Sequence, residues 1–140
     1  MAQAIVLREP GNATVLRLEN VPVGAPGPGE LRLRQTAIGV NFHDIYVRSG
    51  LYKTLPLPGI PGIEATGVVE AVGSGVDDFR VGDRVGYVTA QYGAYASERL
   101  LPAGLAIKIP AWLDDTVVAS VLVRGLTVQM LTRMVHRVVP

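Results

Sequence analysis

The sequence contains no cysteine, and this absence removes several kinds of chemistry at once. Disulfides, thiol nucleophiles and every cysteine-ligated metal site are excluded. A chain without cysteine is compatible with a reducing compartment. We therefore expect a cytoplasmic protein.

Long hydrophobic segments and runs of one charge are also missing. The N-terminal apolar stretch, Ala4 to Leu7, is too short for the core of a signal peptide. The longest uncharged apolar stretch near the C-terminus, Thr116 to Val123, falls far below the length of a membrane span. The net charge is +1 and no basic run is present, so we expect neither nucleic acid nor a membrane as a partner.

The 140 residues suffice for one domain with a sizeable core, and glycines and prolines divide the first 110 of them into short segments. Leu16 and Leu18 alternate with Arg17 and Glu19, which predicts a strand with one solvent-facing side. Several short strands at this spacing are typical of a β-barrel or a β-sandwich. The predicted strands cover residues 2–8, 14–20, 31–38, 65–72, 84–88 and 94–101.

Two helices are predicted from capping residues and periodicity. Asn41 can cap the first, with Asp44 in the reciprocal position of a capping box and Gly50 at its end. Asp114 can cap the second. In that second helix Val117, Val118, Val121 and Leu122 share one face, while Leu126, Met130 and Met134 share another, with Gly125 between them.

Five glycine-containing segments occur in one order along the chain: AIGVNFHDIYVRSGLY at 37–52, PGIEATGVV at 61–69, VGDRV at 81–85, GAYA at 93–96 and GLTV at 125–128. In this order they resemble the zinc-independent quinone oxidoreductase, or zeta-crystallin-like, branch of the medium-chain dehydrogenase/reductase superfamily. The resemblance implies a mainly β fold with short helices. Residues 1–122 would form a GroES-like, partly open β-barrel, and residues 123–140 would be the helical start of a truncated Rossmann domain.

The resemblance also implies the chemistry. A family member reduces quinones by direct hydride transfer from NADPH, without a metal, and acts as a homodimer. The sequence carries no dinucleotide-binding glycine fingerprint. We therefore expect the main NADPH site to lie in a domain that this chain lacks, and the chain alone to be inactive.

A catalytic zinc is not expected. Zinc-dependent alcohol dehydrogenases of the same superfamily carry a cysteine where this chain has Asn41 and a histidine where it has Ile63, and only Glu64 remains of that set. A catalytic zinc needs about three protein ligands and an open position. Without a metal to polarise a carbonyl, the acceptor must already be electrophilic, as a quinone or an activated alkene is.

By resemblance, Asn41 and Tyr46 reach the cofactor or the acceptor and are the candidate catalytic residues. Thr127 would approach the nicotinamide as a third cofactor-binding residue, and Tyr52 would line the acceptor pocket. Each has a structural alternative: a helix cap for Asn41, a core tyrosine for Tyr46, a loop tyrosine for Tyr52 and a helical threonine bonded to its own backbone for Thr127. His43 is interpreted as a surface histidine and not as a proton shuttle.

Two other functions stay open. An enoyl or alkenal reductase uses the same fold and cofactor, and turnover with a quinone or an enone would separate it from a quinone reductase. The chain could also be a non-catalytic binding or structural domain, which the absent fingerprint favours for the chain as given.

Overall fold

The computed structural model of the chain describes residues 1–136. It contains seven strands, two α-helices and short helical turns. The strands are β1 (Ala2–Leu7), β2 (Leu16–Val21), β3 (Glu30–Ile38), β4 (Glu64–Val72), β5 (Arg84–Val88), β6 (Glu98–Pro102) and β7 (Ala106–Lys108). The helices are α1 (Phe42–Ser49) and α2 (Asp115–Gln129), and α2 continues into a π-helical segment at Met130–Val135.

All strand pairs are antiparallel and form two sheets. Five strands pair in the order β6-β3-β4-β5-β7, and β1 pairs with β2 alone. Single bridges from Ala4 to Ala96 and from Leu7 to Gly59 tie the small sheet to the loops of the larger one. The sheet does not close, as expected for a partly open β-barrel.

The core lies on one face of β3, β4 and β5. Inward positions alternate along these strands, as a sheet with one buried face requires. The residues of this core are Leu31, Leu33, Ala65, Val69, Val85, Tyr87, Ala94 and Leu101.

Two strand predictions were partly wrong, and hydrogen bonds from side chains to the backbone explain why. Residues 13–15 form a 3₁₀ turn because the Asn12 Oδ1 atom accepts from the Thr14 amide at 2.9 Å. Ala94 and Ala96 lie outside β6, because their carbonyl oxygens accept from the Gln35 side-chain amide. A side chain here satisfies backbone groups that a strand would have paired.

Leu18 differs from the predicted alternation. Its side chain is 65% exposed. It borders a shallow apolar groove together with Ile38 and Val40. Within residues 1–136, no layer of the fold buries this position, so the alternating pattern predicted a face of the strand but not its burial. The strand β7 was not predicted.

Helix α2 begins as predicted and is longer than the expected short helices. The Asp114 Oδ1 atom accepts from the amides of Thr116 at 2.8 Å and Val117 at 3.3 Å. The helix passes Gly125 without a break. The predicted domain boundary between residues 122 and 123 therefore falls inside α2 and not at a helix end. The division into residues 1–122 and 123–140 stays a prediction.

The faces predicted for α2 are only partly buried. Val118 and Ala119 are buried against the sheet, whereas Val117 and Val121 are half exposed. The combined helical segment Asp115–Val135 has 21 residues, and an 18-residue stretch of it has a mean hydropathy of 1.3, so on length and composition alone it could cross a membrane. The sequence analysis considered only the uncharged stretch 116–123, which is too short to span a membrane. The helical segment is longer because it continues through two charged residues, Arg124 and Arg133. A helix that packs against another domain passes the same test, so this finding is weak evidence for a membrane.

Candidate functional site

The start of α1 is held by a hydrogen-bond network around a buried carboxylate. The Asp44 carboxylate accepts from the backbone N–H of Asn41 at 2.8 Å, as in the predicted capping box. The Asn41 side chain also reaches β4, where its Nδ2 atom donates to Glu64 Oε1 at 2.8 Å. The other Glu64 oxygen accepts from the Val123 amide of α2 at 2.9 Å. Asn41 was predicted both as the cap of the first helix and as a catalytic residue. Its side chain joins α1 to β4.

Glu64 can occupy this position because its neighbour has no side chain. The Glu64 side chain is 1% exposed. A Cβ atom added at Gly39 would lie 2.3 Å from Glu64 Cγ, which is closer than two carbon atoms can approach. The glycine thus leaves the space into which the carboxylate folds back, between the end of β3 and α2.

This network does not suit a metal ion. Both oxygens of Glu64 accept from N–H groups, of Asn41 and Val123. The position where zinc-dependent relatives carry a histidine is the aliphatic Ile63, which cannot bind a metal. Among residues 1–136, no three His, Asp or Glu side chains come together as a possible metal site.

An aromatic surface extends along the exposed side of α1. The Tyr46 and Tyr52 rings meet edge to face with centroids 5.3 Å apart, and the His43 ring lies 5.6 Å from that of Tyr52. Such pairs stabilise one another by the attraction between ring edges and faces. Tyr46 and Tyr52 are both more than one third exposed, so neither is a core tyrosine. We call the surface of His43, Tyr46 and Tyr52 the aromatic wall.

Beside the aromatic wall lies a cavity of about 440 Å³. The sequence interpretation placed His43 on the surface, but it is half buried in the wall of this cavity. Its Nε2 atom lies 3.1 Å from the Tyr92 hydroxyl, and the two rings stack at 5.9 Å. The cavity is lined by His43, Thr54, Ile63, Thr89, Ala90 and Tyr92.

Tyr92 was missed by the sequence analysis. It is buried, although it belongs to the loop after β5, and its φ of 56° lies in the left-handed region that residues with a side chain seldom adopt. The hydroxyl is hydrogen-bonded to Thr54 as well as to His43. The dipeptide Tyr92-Gly93 was a weak turn signal in the sequence, and nothing there showed that the ring turns inward.

Tyr95 anchors α1 from the opposite side. Its hydroxyl donates to Asp44 Oδ2 at 2.9 Å. Burial, followed by the nearby Asp44 charge, raises the pKa of Tyr95 well above its usual range. Gly62, at a φ of 92°, permits this packing, because a Cβ atom there would lie 2.4 Å from the Tyr95 ring.

Thr127 lies apart from the other candidates. Its hydroxyl donates to the Val123 carbonyl at 2.8 Å within α2. This is the backbone-bonded alternative considered for a helical threonine. The structure therefore brings Tyr46, Tyr52 and His43 together, with His43 in the wall of the cavity. It joins Asn41 to Glu64 by a hydrogen bond, while Thr127 is an exposed residue of α2.

The described residues form an open, all-antiparallel β domain with a cavity beside helix α1. The comparisons with known proteins identify its family. Residues 27–111 match the family described as the alcohol dehydrogenase GroES-like domain, and the chain belongs to this family. The resemblance to the quinone oxidoreductase branch is confirmed as well.

Three relatives illustrate the match. A 2-haloacrylate reductase from a Burkholderia species is 46% identical over 100% of this chain and 44% of its own length. A quinone oxidoreductase of Pseudomonas aeruginosa is 43% identical over 97% of this chain and 42% of its own. The crystal structure of Escherichia coli quinone oxidoreductase complexed with NADPH superposes with a TM-score of 0.95 at 36% identity, over 100% of this chain and 43% of that one. The chain thus spans less than half the length of the relatives that it matches.

Proposed function

We propose that this chain forms the acceptor-side domain of an NADPH-dependent oxidoreductase that reduces quinones by direct hydride transfer, without a metal ion. The observation that carries the proposal is the aromatic wall beside a cavity of about 440 Å³. Cavities of this size hold small ligands. Exposed tyrosine rings offer a flat apolar surface on which a planar acceptor can stack.

The residues of the chain would position the acceptor and exclude water. When bound, NADPH supplies the hydride. Asn41 uses one amide hydrogen on Glu64 Oε1, and its second amide hydrogen is left for a ligand. Tyr46 exposes its ring and hydroxyl on the same helix. Holding an electrophilic acceptor in a fixed orientation lowers the entropic part of the barrier, which a metal-free reaction requires.

NADPH-binding residues in the described chain are few. Thr127 has its hydroxyl on the helix backbone, so Asn41 and Tyr46 remain as contacts to the nicotinamide end. We infer that the phosphates are bound outside this chain, and that the chain alone binds NADPH weakly. A homodimer and a cytoplasmic location remain predictions for the whole protein.

A second candidate is the reduction of an activated alkene. The relative that favours it is the 2-haloacrylate reductase, at 46% identity. A haloacrylate and a quinone both accept a hydride at an electron-poor carbon, so the same cavity could serve either. The ratio of kcat/KM for duroquinone to that for 2-chloroacrylate decides between the two functions.

The function is tested by joining the chain to the nucleotide-binding domain of the P. aeruginosa relative and measuring NADPH oxidation. We expect duroquinone reduction, with kcat/KM lowered about tenfold in Asn41→Ala and Tyr46→Phe, which is the effect of losing roughly one hydrogen bond.

Thr127→Val tests the predicted cofactor role of Thr127. Thr132→Val is its control, because both hydroxyls donate to the carbonyl four residues earlier. A higher KM for NADPH in Thr127→Val alone would give Thr127 a cofactor role. Absence of turnover with both acceptors would refute the proposed function.

A further inference from the structure

Three segments of the chain bring a continuous row of polar groups to the wall of the cavity. His43 comes from α1, Thr54 from the loop after it, and Tyr92 from the loop after β5. The His43 Nε2 atom lies 3.1 Å from the Tyr92 hydroxyl. The Tyr92 hydroxyl is also hydrogen-bonded to the Thr54 hydroxyl. We call these three groups the polar row.

The polar row runs from the interior of the cavity to its mouth. Tyr92 is 6% exposed, whereas Thr54 is an exposed residue at the rim. The other residues of the wall include Ile63 and Ala90, so the row crosses a partly apolar surface. A few polar groups on an apolar wall are what fixes the orientation of a bound ligand.

The hydrogen atoms of the row can be arranged so that a donor is presented at the rim. A tyrosine hydroxyl has one hydrogen and two acceptor positions, and so does a threonine hydroxyl. If His43 Nε2–H donates to Tyr92, then Tyr92 donates to Thr54, and the Thr54 hydrogen is free to donate into the cavity. A quinone carbonyl oxygen is an acceptor only, so this direction of the row complements it.

The backbone at Tyr92 supports a role beyond packing. A non-glycine residue at a φ of 56° is held in an unfavourable conformation, of a kind that clusters at ligand-binding sites. Here it turns the phenol inward, between His43 and Thr54. A tyrosine needed only to fill space would not require the two hydrogen bonds that the hydroxyl makes.

We propose that His43, Tyr92 and Thr54 form the subsite that selects a carbonyl-bearing planar acceptor, with the Thr54 hydroxyl as the donor to the acceptor oxygen. Tyr92 and His43 are positioning residues that orient this donor. The inference rests on the proposed function, because it assigns the substrate class of the same cavity.

The test is the binding of duroquinone to the 140-residue chain, measured by NMR without NADPH. The chain has no cysteine that could add to a quinone, and the ring methyl groups of duroquinone block addition to its carbons. We expect saturable shifts of the Thr54, Tyr92 and His43 signals. With duroquinone bound, the nitrogen shifts of His43 should show a hydrogen on Nε2, which a purely structural histidine would not need.

Variants test each member of the row. Tyr92→Phe, His43→Phe and Thr54→Val should each weaken duroquinone binding about threefold to tenfold, the equivalent of one hydrogen bond. Thr54→Ser keeps the hydroxyl and should restore binding. His136→Phe, at the other histidine of the chain, is the control and should leave affinity unchanged. Because Thr54 is exposed, its variants should fold even if those at Tyr92 do not.

Two results would overturn the inference: no saturable binding by the wild-type chain, or equal affinity in Thr54→Val, Thr54→Ser and the wild type. The readout differs from that of the proposed function. A fusion enzyme that fails to reduce duroquinone would refute the function even if the row binds the quinone. Turnover with kcat/KM unaffected by Thr54→Val would refute the row and leave the function intact.

Discussion

The sheet and the long helix of this chain are similarly rich in aliphatic residues but bury them to very different degrees. Leu31, Leu33 and Leu101 in the sheet are completely buried, whereas Val128 of α2 is 59% exposed. The first turns of α2 pack on the sheet through Val118 and Ala119, and the rest extends beyond it. The comparison shows that an apolar side chain is buried only where a neighbouring element of the fold packs over it.

The exposed part of α2 and the π-helical segment after it present apolar side chains that include Val121, Leu126, Val128 and Leu131. Surfaces of this kind mark contact sites for other proteins or domains, or they cause aggregation. Under the proposed function, we expect a nucleotide-binding domain to cover this surface.

The largest expected effect is the contrast between truncations in the two regions. Leu33→Ala should lower the free energy of unfolding by about 2–5 kcal/mol, because it removes buried methyl groups and leaves a cavity. Val128→Ala, in the exposed part of α2, should change it by no more than about 0.5 kcal/mol. Urea unfolding followed by circular dichroism measures both. Similar losses in the two variants would mean that α2 is buried in solution, against another copy or another part of the molecule.

A smaller effect is expected where the two regions are joined. Glu64→Gln keeps the shape of the side chain but places an amide N–H group against one of the two donors, Asn41 or Val123. The free energy of unfolding should fall by about 1–3 kcal/mol, because one buried donor loses its acceptor. Asn41→Ala should also lower the free energy of unfolding, because that change removes a hydrogen-bond partner of Glu64.

Glu70→Gln is the matched control for this prediction. Glu70 lies on the same strand, β4, but faces solvent and pairs with Arg34 at 3.1 Å. Exposed ion pairs contribute little to stability. Equal losses in the Glu64 and Glu70 variants would show that the Glu64 network does not connect the sheet to α2. A double-mutant cycle of Asn41→Ala with Glu64→Gln measures their coupling directly.

Much of this fold could be predicted from the sequence, because turn residues and alternation are local signals. The boundaries of β4 and β5 and the caps at Asn41 and Asp114 follow from such signals. The strand predicted at 94–101 was partly wrong because its first carbonyl groups bond to Gln35, nearly 60 residues away in the sequence. A single-sequence pattern contains no information on such a long-range partner.

The candidate site was less predictable than the fold. Asn41, Tyr46 and Tyr52 were found through resemblance, and the structure places all three at α1. The inward position of His43 depends on Tyr92, whose φ of 56° no simple propensity indicates. Thr127 was assigned by resemblance, and the structure shows its hydroxyl on Val123. Residues that a local motif marks were therefore easier to place in the fold than residues whose position depends on two loops meeting.

The smallest expected effect concerns the cap of α2, and its sign depends on pH. The amides of Thr116 and Val117 hold the pKa of Asp114 below its ordinary value of 3.8. A carboxylate with a lowered pKa in the folded state stabilises the folded state above the unfolded-state pKa, and this contribution is lost as the pH falls through the folded-state pKa.

Asn is an equally good cap but does not titrate in this range. The wild type should thus melt slightly higher than Asp114→Asn at neutral pH and low salt, since a negative charge favours the helix N-terminus. The advantage should shrink to nothing in acid, whereas Asp114→Ala, which has no cap, should melt lower than Asp114→Asn at every pH. Thermal unfolding of the three proteins, monitored at the helical circular dichroism band, measures these differences. A difference between wild type and Asp114→Asn that does not vary with pH would show that the carboxylate does not act as a charged cap.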